Sequence, residues 1–210
     1  MRYTGPKEKL SRKVGENLGL KAERSFSPKS AFLRKPYKPG VHGKLKGRRR
    51  AMSEFGTQLL EKQKLKYTYG ITEKQLRKYF REIKKKKGIA GELLLRALEK
   101  RLDNVVYRSG FALSRGIARQ VVSHGHFLVN NKRITIPSYS TKSGDIITIR
   151  SQSRPKAIFL ELANKLKKYD APVWLSVDKK NFELTVKAMP PVEDLPKNFD
   201  INAIIAFYSR

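Results

Sequence analysis

Residues 99–149 carry the clearest structural pattern of this chain, and they read EKRLDNVVYRSGFALSRGIARQVVSHGHFLVNNKRITIPSYSTKSGDIITI. Apolar residues recur at helical spacing in the first part of this stretch, and short apolar runs separated by polar turns fill the rest. Helices followed by short strands indicate a compact α+β unit, in which two helices pack on a small antiparallel sheet. The remaining residues extend this unit on both sides.

The helices are predicted from apolar spacing and capping residues. The first covers about residues 91–109, because Leu94, Leu98 and Leu102 fall on one face and Gly110 is a natural stop. The second begins after Ser114, a favourable N-cap residue. Arg115 and Arg119 are one turn apart on its predicted outer side. Because the first turn of a helix has free N–H groups, forked guanidinium groups beside it form a phosphate-binding arrangement.

The strands are predicted where the apolar period changes. Residues 127–129, 133–136 and 146–149 read as strands, and Asn130 with Asn131 suits a tight hairpin turn because asparagine tolerates positive φ. Beyond residue 150, the pattern predicts a helix over 153–168, strands over 172–177 and 182–189, and a last strand over 201–208.

The charge balance restricts the partners. The chain has 210 residues with 47 Lys and Arg against 18 Asp and Glu, a formal charge of +29. A compact protein with this imbalance repels itself, so nucleic acid, an anionic membrane surface or an acidic protein is expected to supply the counter-charge. No apolar run approaches membrane-spanning length, and the N-terminus lacks a secretory h-region. The absence of cysteine excludes disulfides and thiolate metal sites, and an intracellular location fits it.

Residues 1–50 form the most basic region, and scattered Gly and Pro make long regular elements unlikely. Two readings are open: a solvated arm, or an arm that becomes ordered on a polyanion, with Tyr3, Phe26 and Tyr37 stacking on unpaired bases. Residues 44–50 (KLKGRRR) are the densest cluster.

Residues 53–88 predict two helices, the second opened by a capping box of Thr72 and Gln75. Leu76, Phe80 and Ile83 form its apolar stripe. A basic stripe lies on the opposite side and consists of Lys74, Lys78, Arg81 and Lys85. A charged stripe is usually a solvated face, but like charges at this spacing repel, so an anionic partner is the simpler account.

Catalytic motifs are absent from the sequence. There is no glycine-rich phosphate loop, and the serines lack a base with an orienting partner. His124 and His126 have no evident third ligand, so an RNA-contacting or structural role is favoured over metal binding. We therefore expect no enzyme activity, no cofactor, no metal and no small-molecule substrate.

Residues 101–139 resemble the signature of the bacterial small-subunit ribosomal protein S-four family. Four further segments resemble that family in the same order: RYTGPKEKLSRKVG at 2–15, PGVHG at 39–43, GTQLLEKQKLKYTY at 56–69 and IAFYSR at 205–210. The resemblance implies an α+β protein whose RNA-binding module occupies residues 99–150. Residues 1–50 would be an extended basic arm, and residues 51–98 a helical N-terminal domain that residues 151–210, a strand/helix extension, complete. Some members hold zinc with a cysteine cluster, which this cysteine-free chain cannot do.

The resemblance implies a cytoplasmic, ribosome-bound protein that binds 16S ribosomal RNA at a helix junction of the 5′ domain and nucleates assembly of the subunit body. It also implies contact with neighbouring ribosomal proteins, a position near the channel by which mRNA enters, and an effect on translational accuracy. The residues expected at RNA are Arg2, Tyr3, Lys7, Lys9, Arg12, Lys44, Lys46, Arg48, Arg49, Arg50, Lys74, Lys78, Arg81, Lys85, Arg101, Asp103, Arg115, Arg119, Gln120, His124, Asn130 and Tyr139.

Two alternatives come from other classes. An RNA-modifying or aminoacylating enzyme can carry the same module, but it needs a catalytic domain for which residues 151–210 are too short and residues 1–98 too basic and irregular. A general basic nucleic-acid-binding protein would bind duplex DNA as well as structured RNA, with the same dependence on salt.

Overall fold

The computed structural model describes residues 3–44, 51–167 and 169–209. The chain forms two compact units, one of Met1–Leu94 with Pro196–Arg210 and the other of Leu95–Leu195. From the sequence, all of residues 151–210 were expected to complete the N-terminal domain, whereas only the last part belongs to the first unit. The reason is that the hairpin after residue 170 pairs with the sheet of the second unit.

The first unit is helical. Its helices are α1 (Lys7–Val14), α2 (Ala31–Arg34), α3 (Glu54–Tyr69), α4 (Glu73–Ile83) and α10 (Ile201–Ser209), with short 3₁₀ turns at Ala22–Ser25 and Val41–Lys44; α5 (Ala90–Glu99) continues from this unit into the second. The helices of the arm are short, in keeping with its Gly and Pro content. Leu10 and Leu18 nevertheless become buried, since α1 packs on α2 and α3.

The predicted start signals of α3 and α4 are confirmed. The Ser53 hydroxyl accepts the N–H of Gly56 at 3.2 Å, and Gly70 ends α3 in the left-handed conformation. Thr72 and Gln75 form the capping box at the start of α4.

Residues 201–208 are helical in α10, so the prediction of a strand there is wrong. The Asp200 carboxylate accepts the N–H of Ala203 at 3.0 Å, which is a helix-start signal in the sequence. The helix packs on α3 and buries Ile204. The Tyr208 hydroxyl donates to Glu73 at 2.7 Å, and this bond holds the last turn of α10 in place.

The second unit is an antiparallel sheet with helices. Its elements are α6 (Leu102–Arg108), α7 (Arg115–Ser123), β1 (Phe127–Val129), β2 (Lys132–Arg133), β3 (Ile146–Ile149), α8 (Ala157–Leu160), α9 (Leu162–Lys167), β4 (Leu175–Asp178) and β5 (Glu183–Val186). The strand order is β2-β1-β3-β5-β4. Val106 and Val122 from the helices share one core with Phe127, Ile147 and Leu184 from the sheet, which confirms the predicted α+β arrangement.

The predicted helix over 91–109 is instead two helices, α5 and α6, separated at Lys100 and Arg101. The N–H of Leu102 donates to the Tyr139 carbonyl at 2.9 Å, and the N–H of Asp103 donates to the Pro137 carbonyl at 3.2 Å. These long-range bonds replace the intrahelical bonds that a continuous helix would need.

A predicted strand and a predicted helix differ in length from the elements in the structure. The strand expected at 133–136 is the shorter β2, and the helix expected at 153–168 is a 3₁₀ turn at Ser151–Ser153 followed by α8 and α9. The hairpin turn is as predicted, since Asn130 and Asn131 have φ values of 49° and 63°.

Candidate nucleic-acid interface

The first turn of α7 is built as predicted. The Ser114 hydroxyl accepts the N–H of Ile117 at 3.3 Å, which fixes the start of the helix. Ala118, Val121 and Val122 turn into the core. Arg115 and Arg119, one turn apart, therefore emerge together at the edge of this buried face, toward the end of the helix where the dipole favours an anion.

Neither arginine extends freely into solvent, because each one meets a buried carboxylate. Arg115 donates through Nε to the Asn104 side chain at 2.7 Å, and its Nη2 lies 3.8 Å from Glu99. Arg119 donates through Nη1 to Asp103 at 3.3 Å. Their side chains are 17% and 20% exposed, so a part of each guanidinium group still faces water.

Arg101 and Asp103 form an internal ion pair. Arg101 donates to both carboxylate oxygens of Asp103, at 3.2 and 3.0 Å, and the arginine is 1% exposed. Both residues were expected at RNA from the sequence, but their burial excludes them from the protein surface. Asp103 instead fixes Arg119, which reaches the surface.

Glu99 and Arg108 complete the cluster, and neither was singled out from the sequence. Arg108 donates through Nε and Nη2 to the two oxygens of Glu99, at 2.9 and 3.1 Å. Arg115 also lies over the Tyr107 ring at 4.6 Å. Four arginines thus share two carboxylates, and the cluster keeps a net positive charge with its guanidinium groups held in place.

The other predicted positions of the second unit fall into two groups. Gln120 and His124 are exposed at the C-terminal part of α7. Asn130 holds the hairpin, since its amide donates to Asp145 at 2.9 Å and its oxygen accepts the N–H of Ile146 at 2.9 Å. Tyr139 is half-buried and packs against the core. Direct RNA contact by Asn130 and Tyr139 stays a prediction beside these structural roles.

A second basic group surrounds His126 and was not predicted. The His126 ring is buried, and its Nδ1 lies 3.0 Å from the Ser153 hydroxyl. Burial lowers the pKa of His126, and the positive charges of Lys156, His124, Arg133 and Arg150 lower it further. These residues are scattered in sequence, so only the fold brings their charges together.

The basic stripe of α4 is exposed over its whole length. Lys74, Lys78 and Arg81 face solvent, and Leu76, Phe80 and Ile83 are buried on the other side, as predicted. Lys85, the last residue of the predicted stripe, is exposed in the turn after α4 because the helix already ends at Ile83. Lys78 has an ion pair with Glu82 at 3.8 Å, a contact between two exposed side chains that contributes little.

Within the described part of the arm, the predicted contact Arg12 is engaged by the chain itself, whereas other predicted contacts are exposed. Tyr3, Lys9 and Lys44 are exposed, and Lys7 is half-buried. The Arg12 Nε donates to the carbonyls of Lys35 and Tyr37, at 3.0 and 3.1 Å, and its guanidinium lies over the Tyr37 ring. The predicted contacts Arg2, Lys46, Arg48, Arg49 and Arg50 lie outside the described residues.

No group of three or more His, Cys, Asp or Glu side chains suited to a metal ion occurs in the part of the chain that the structure describes. Within the same residues, no helix is both long and apolar enough to cross a membrane.

Two family models match the chain in succession: the ribosomal protein S4/S9 N-terminal domain over residues 2–99 and the S4 domain over residues 100–147. Fold and match together define a class, a basic protein in which a helical ribosomal N-terminal domain precedes an α/β S4 domain. The small ribosomal subunit protein uS4 of Caldicellulosiruptor bescii is 47% identical over 209 residues, which cover 100% of this chain and 99% of that relative. The proteins of the same name from Natranaerobius thermophilus and Cupriavidus necator are 47% and 46% identical, over 209 and 210 residues, with the same coverage.

The chain therefore belongs to the uS4 family of small ribosomal subunit proteins, in a form without cysteine. The resemblance found in the sequence is confirmed. The relatives are ribosomal proteins rather than enzymes, which confirms the prediction that the chain is not an enzyme.

Proposed function

We propose that this chain is a structural constituent of the small ribosomal subunit that binds 16S ribosomal RNA. The observation that carries the proposal is the cluster at the start of α7, where buried carboxylates hold arginines beside a helix N-terminus. A fixed guanidinium at that position suits the phosphate groups of a folded RNA. The net charge of +29 supplies attraction over a longer range.

The RNA surface has three parts. The first is the face of α7 with Arg115, Arg119, Gln120 and His124. The second is the exposed stripe of α4, and the third is the basic arm, whose aromatic residues can stack on unpaired bases. Ordered arginines select the geometry of the RNA, and the exposed lysines add affinity that depends on salt.

The membership of the uS4 family supports a more detailed role. We propose that the chain binds a helix junction of the 5′ domain and nucleates assembly of the subunit body in the cytoplasm. It contacts neighbouring ribosomal proteins and lies near the channel by which mRNA enters, where it affects translational accuracy. The names of the relatives, small ribosomal subunit proteins, support the part of this proposal that places the chain in the small subunit.

The test compares two polyanions. The affinity of the full chain is measured for a 5′-domain fragment of 16S RNA and for duplex DNA of equal charge, between about 50 and 200 mM salt. We expect the RNA to bind more tightly at every salt concentration, because ordered donors match its folded backbone. Equal affinities and equal salt slopes would instead identify a general basic nucleic-acid-binding protein.

A further inference from the structure

Glu99 is a buried carboxylate within a polar cluster that also buries Arg101, Asp103 and Asn104. It is the last residue of α5 and is 1% exposed, beside the buried Leu98 and Leu102. An isolated carboxylate at such a site would cost several kcal/mol, so partners must compensate it. Its oxygens accept from Arg108 twice and from the Asn104 amide at 2.7 Å.

The partners of Glu99 are also partners of each other. The Asn104 amide group donates to Glu99, and the Asn104 oxygen accepts from the Arg115 Nε. The amide is thereby oriented, so Glu99 acts on Arg115 both directly, at 3.8 Å, and through Asn104. The Arg115 guanidinium also lies over the Tyr107 ring. One buried group thus sets the geometry of two surface arginines.

We infer that Glu99 is a positioning residue for RNA binding: its carboxylate fixes Arg108 and Arg115 so that their exposed edges meet phosphate without further ordering. The inference rests on the proposed RNA-binding function. A long side chain such as arginine loses rotamer entropy when it is immobilised. Arginines ordered in the free protein avoid this loss on binding. Glu99 itself stays buried and does not touch RNA.

The sign of the charge separates positioning from simple electrostatics. Glu99→Gln removes a negative charge from a surface that binds a polyanion, so electrostatics alone predicts tighter RNA binding. Positioning predicts weaker binding, because the Arg108 and Arg115 donors lose their anchor. The introduced amide keeps the size of the side chain, and its oxygen can still accept from Asn104.

The experiment measures the affinity of the full chain for the 5′-domain RNA fragment. We expect Glu99→Gln to weaken binding about tenfold, the loss of roughly one charge-assisted hydrogen bond. Glu183→Gln is the matched control, since it makes the same change on β5 away from the cluster, and it should leave affinity unchanged or slightly tighter. In an Arg108→Ala, Arg115→Ala background, Glu99→Gln should cost less than about twofold, since the groups it positions are gone.

Each outcome decides something. If the unaltered chain fails to bind the RNA, the proposed function is wrong. If it binds and Glu99→Gln binds equally well or more tightly, the positioning role is wrong. A tenfold loss that persists in the background without the two arginines would reflect general loss of structure and would also overturn the inference.

A second measurement does not depend on the folding of the variant. The Nε–H groups of arginines report side-chain motion through ¹⁵N relaxation in the unaltered chain, free of RNA. Arg108 and Arg115 should be as ordered as the backbone, whereas Arg81 on the exposed stripe of α4 should be mobile. Equal mobility of Arg115 and Arg81 would overturn the inference.

Discussion

Helices α4 and α7 each present basic side chains at a spacing of about one turn, and the surroundings of those side chains differ. On α7, Arg115 contacts Asn104 and Glu99, and Arg119 donates to Asp103. On α4, Lys74, Lys78 and Arg81 extend into solvent, and Lys85 is exposed in the turn that follows the helix. We therefore expect the α7 arginines to be ordered before a ligand binds and the α4 side chains to become ordered only on binding.

The comparison shows that equal charge does not mean equal contribution to recognition. Exposed lysines attract any polyanion and lose this attraction as salt rises. Anchored arginines offer donors in fixed directions, and the loss of entropy on binding is smaller. We therefore expect α7 to determine which RNA is bound, and α4 to determine how strongly binding depends on salt.

The largest expected effect comes from Arg115→Ala combined with Arg119→Ala. RNA affinity should fall by about 3 kcal/mol, since two charge-assisted hydrogen bonds are worth about 1.5 kcal/mol each. Lys179→Ala with Lys180→Ala is the control in the same unit, because it removes two exposed charges from a turn. Equal losses of affinity in the two variants would mean that only charge matters.

The same α7 variant should also lower the free energy of unfolding. Glu99 and Asp103 each keep one arginine, Arg108 and Arg101, but lose the other. We expect a loss of about 1–3 kcal/mol for the weakened pairing of two buried carboxylates, measured by urea unfolding without RNA. The sequence pattern placed these arginines on the outer side of the helix, where the substitutions would leave the fold intact.

The sequence predicts those elements whose signals are local. Ser53, Thr72 and Ser114 start α3, α4 and α7 through side chains that act within three residues, and the asparagine pair defines its own turn. The short arm helices α1 and α2 depend on contacts with other elements. The helix α10 had a local signal in Asp200, which the continuous apolar run obscured.

The features that the sequence does not predict depend on residues far apart. The break between α5 and α6 is stabilised by carbonyls of Pro137 and Tyr139, more than thirty residues further along the chain. The site shows the same limit. The sequence pattern points to Arg115, but its anchor Glu99 looks in sequence like any acid inside the helix predicted over 91–109. The predicted RNA contact of Arg101 failed for this reason, since its burial follows from tertiary packing.

Exchanging arginine for lysine keeps the positive charge but removes the forked guanidinium donors. Arg115→Lys loses the Nε donor to Asn104 and the fork that reaches Glu99, so RNA affinity should fall by about 1–2 kcal/mol. Arg81→Lys on α4 is the matched exchange at an exposed position and should change affinity by less than about 0.5 kcal/mol. Equal effects would show that Arg115 acts only as a point charge.

Removing lysines from α4 should reveal the part of the RNA affinity that depends on salt concentration. Lys74→Ala with Lys78→Ala is expected to weaken RNA binding by about 0.5–1 kcal/mol and to reduce the salt slope by about 2. The free energy of unfolding should stay within about 0.5 kcal/mol, since both side chains are exposed. Gln75→Ala is the converse control, since loss of the capping box should lower stability by about 1 kcal/mol and leave the slope unchanged. An unchanged salt slope for the lysine variant would remove α4 from the RNA surface.

The smallest expected effect is a difference in how the two units respond to acid. In the second unit, burial and the nearby positive charges lower the pKa of His126 below its ordinary value of 6.5. As pH falls, His126 is protonated first in the unfolded chain. Its contribution to stability is therefore present above pH 6.5 and is lost as pH falls from there through the folded pKa.

In the first unit, burial alone would raise the pKa of Glu73, but the hydrogen bond from Tyr208 and the ammonium of Lys62 outweigh it and lower the pKa below 4.5. That contribution is present above pH 4.5 and is lost only as pH falls through the lower folded value.

Between pH 7 and about pH 5.5, the second unit should therefore lose stability from His126 while the contribution of Glu73 to the first unit stays intact. Hydrogen-exchange protection, corrected for the intrinsic rate at each pH, separates the two units because it reports each amide in its own element. His126→Gln should abolish the decrease in the strands β1 and β3 that can be attributed to this residue. Tyr208→Phe should instead weaken the first unit near neutral pH, because Glu73 loses a hydrogen bond there. A decrease in β1 and β3 that is the same with and without His126 would show that the basic group around this ring does not control the acid response of the second unit.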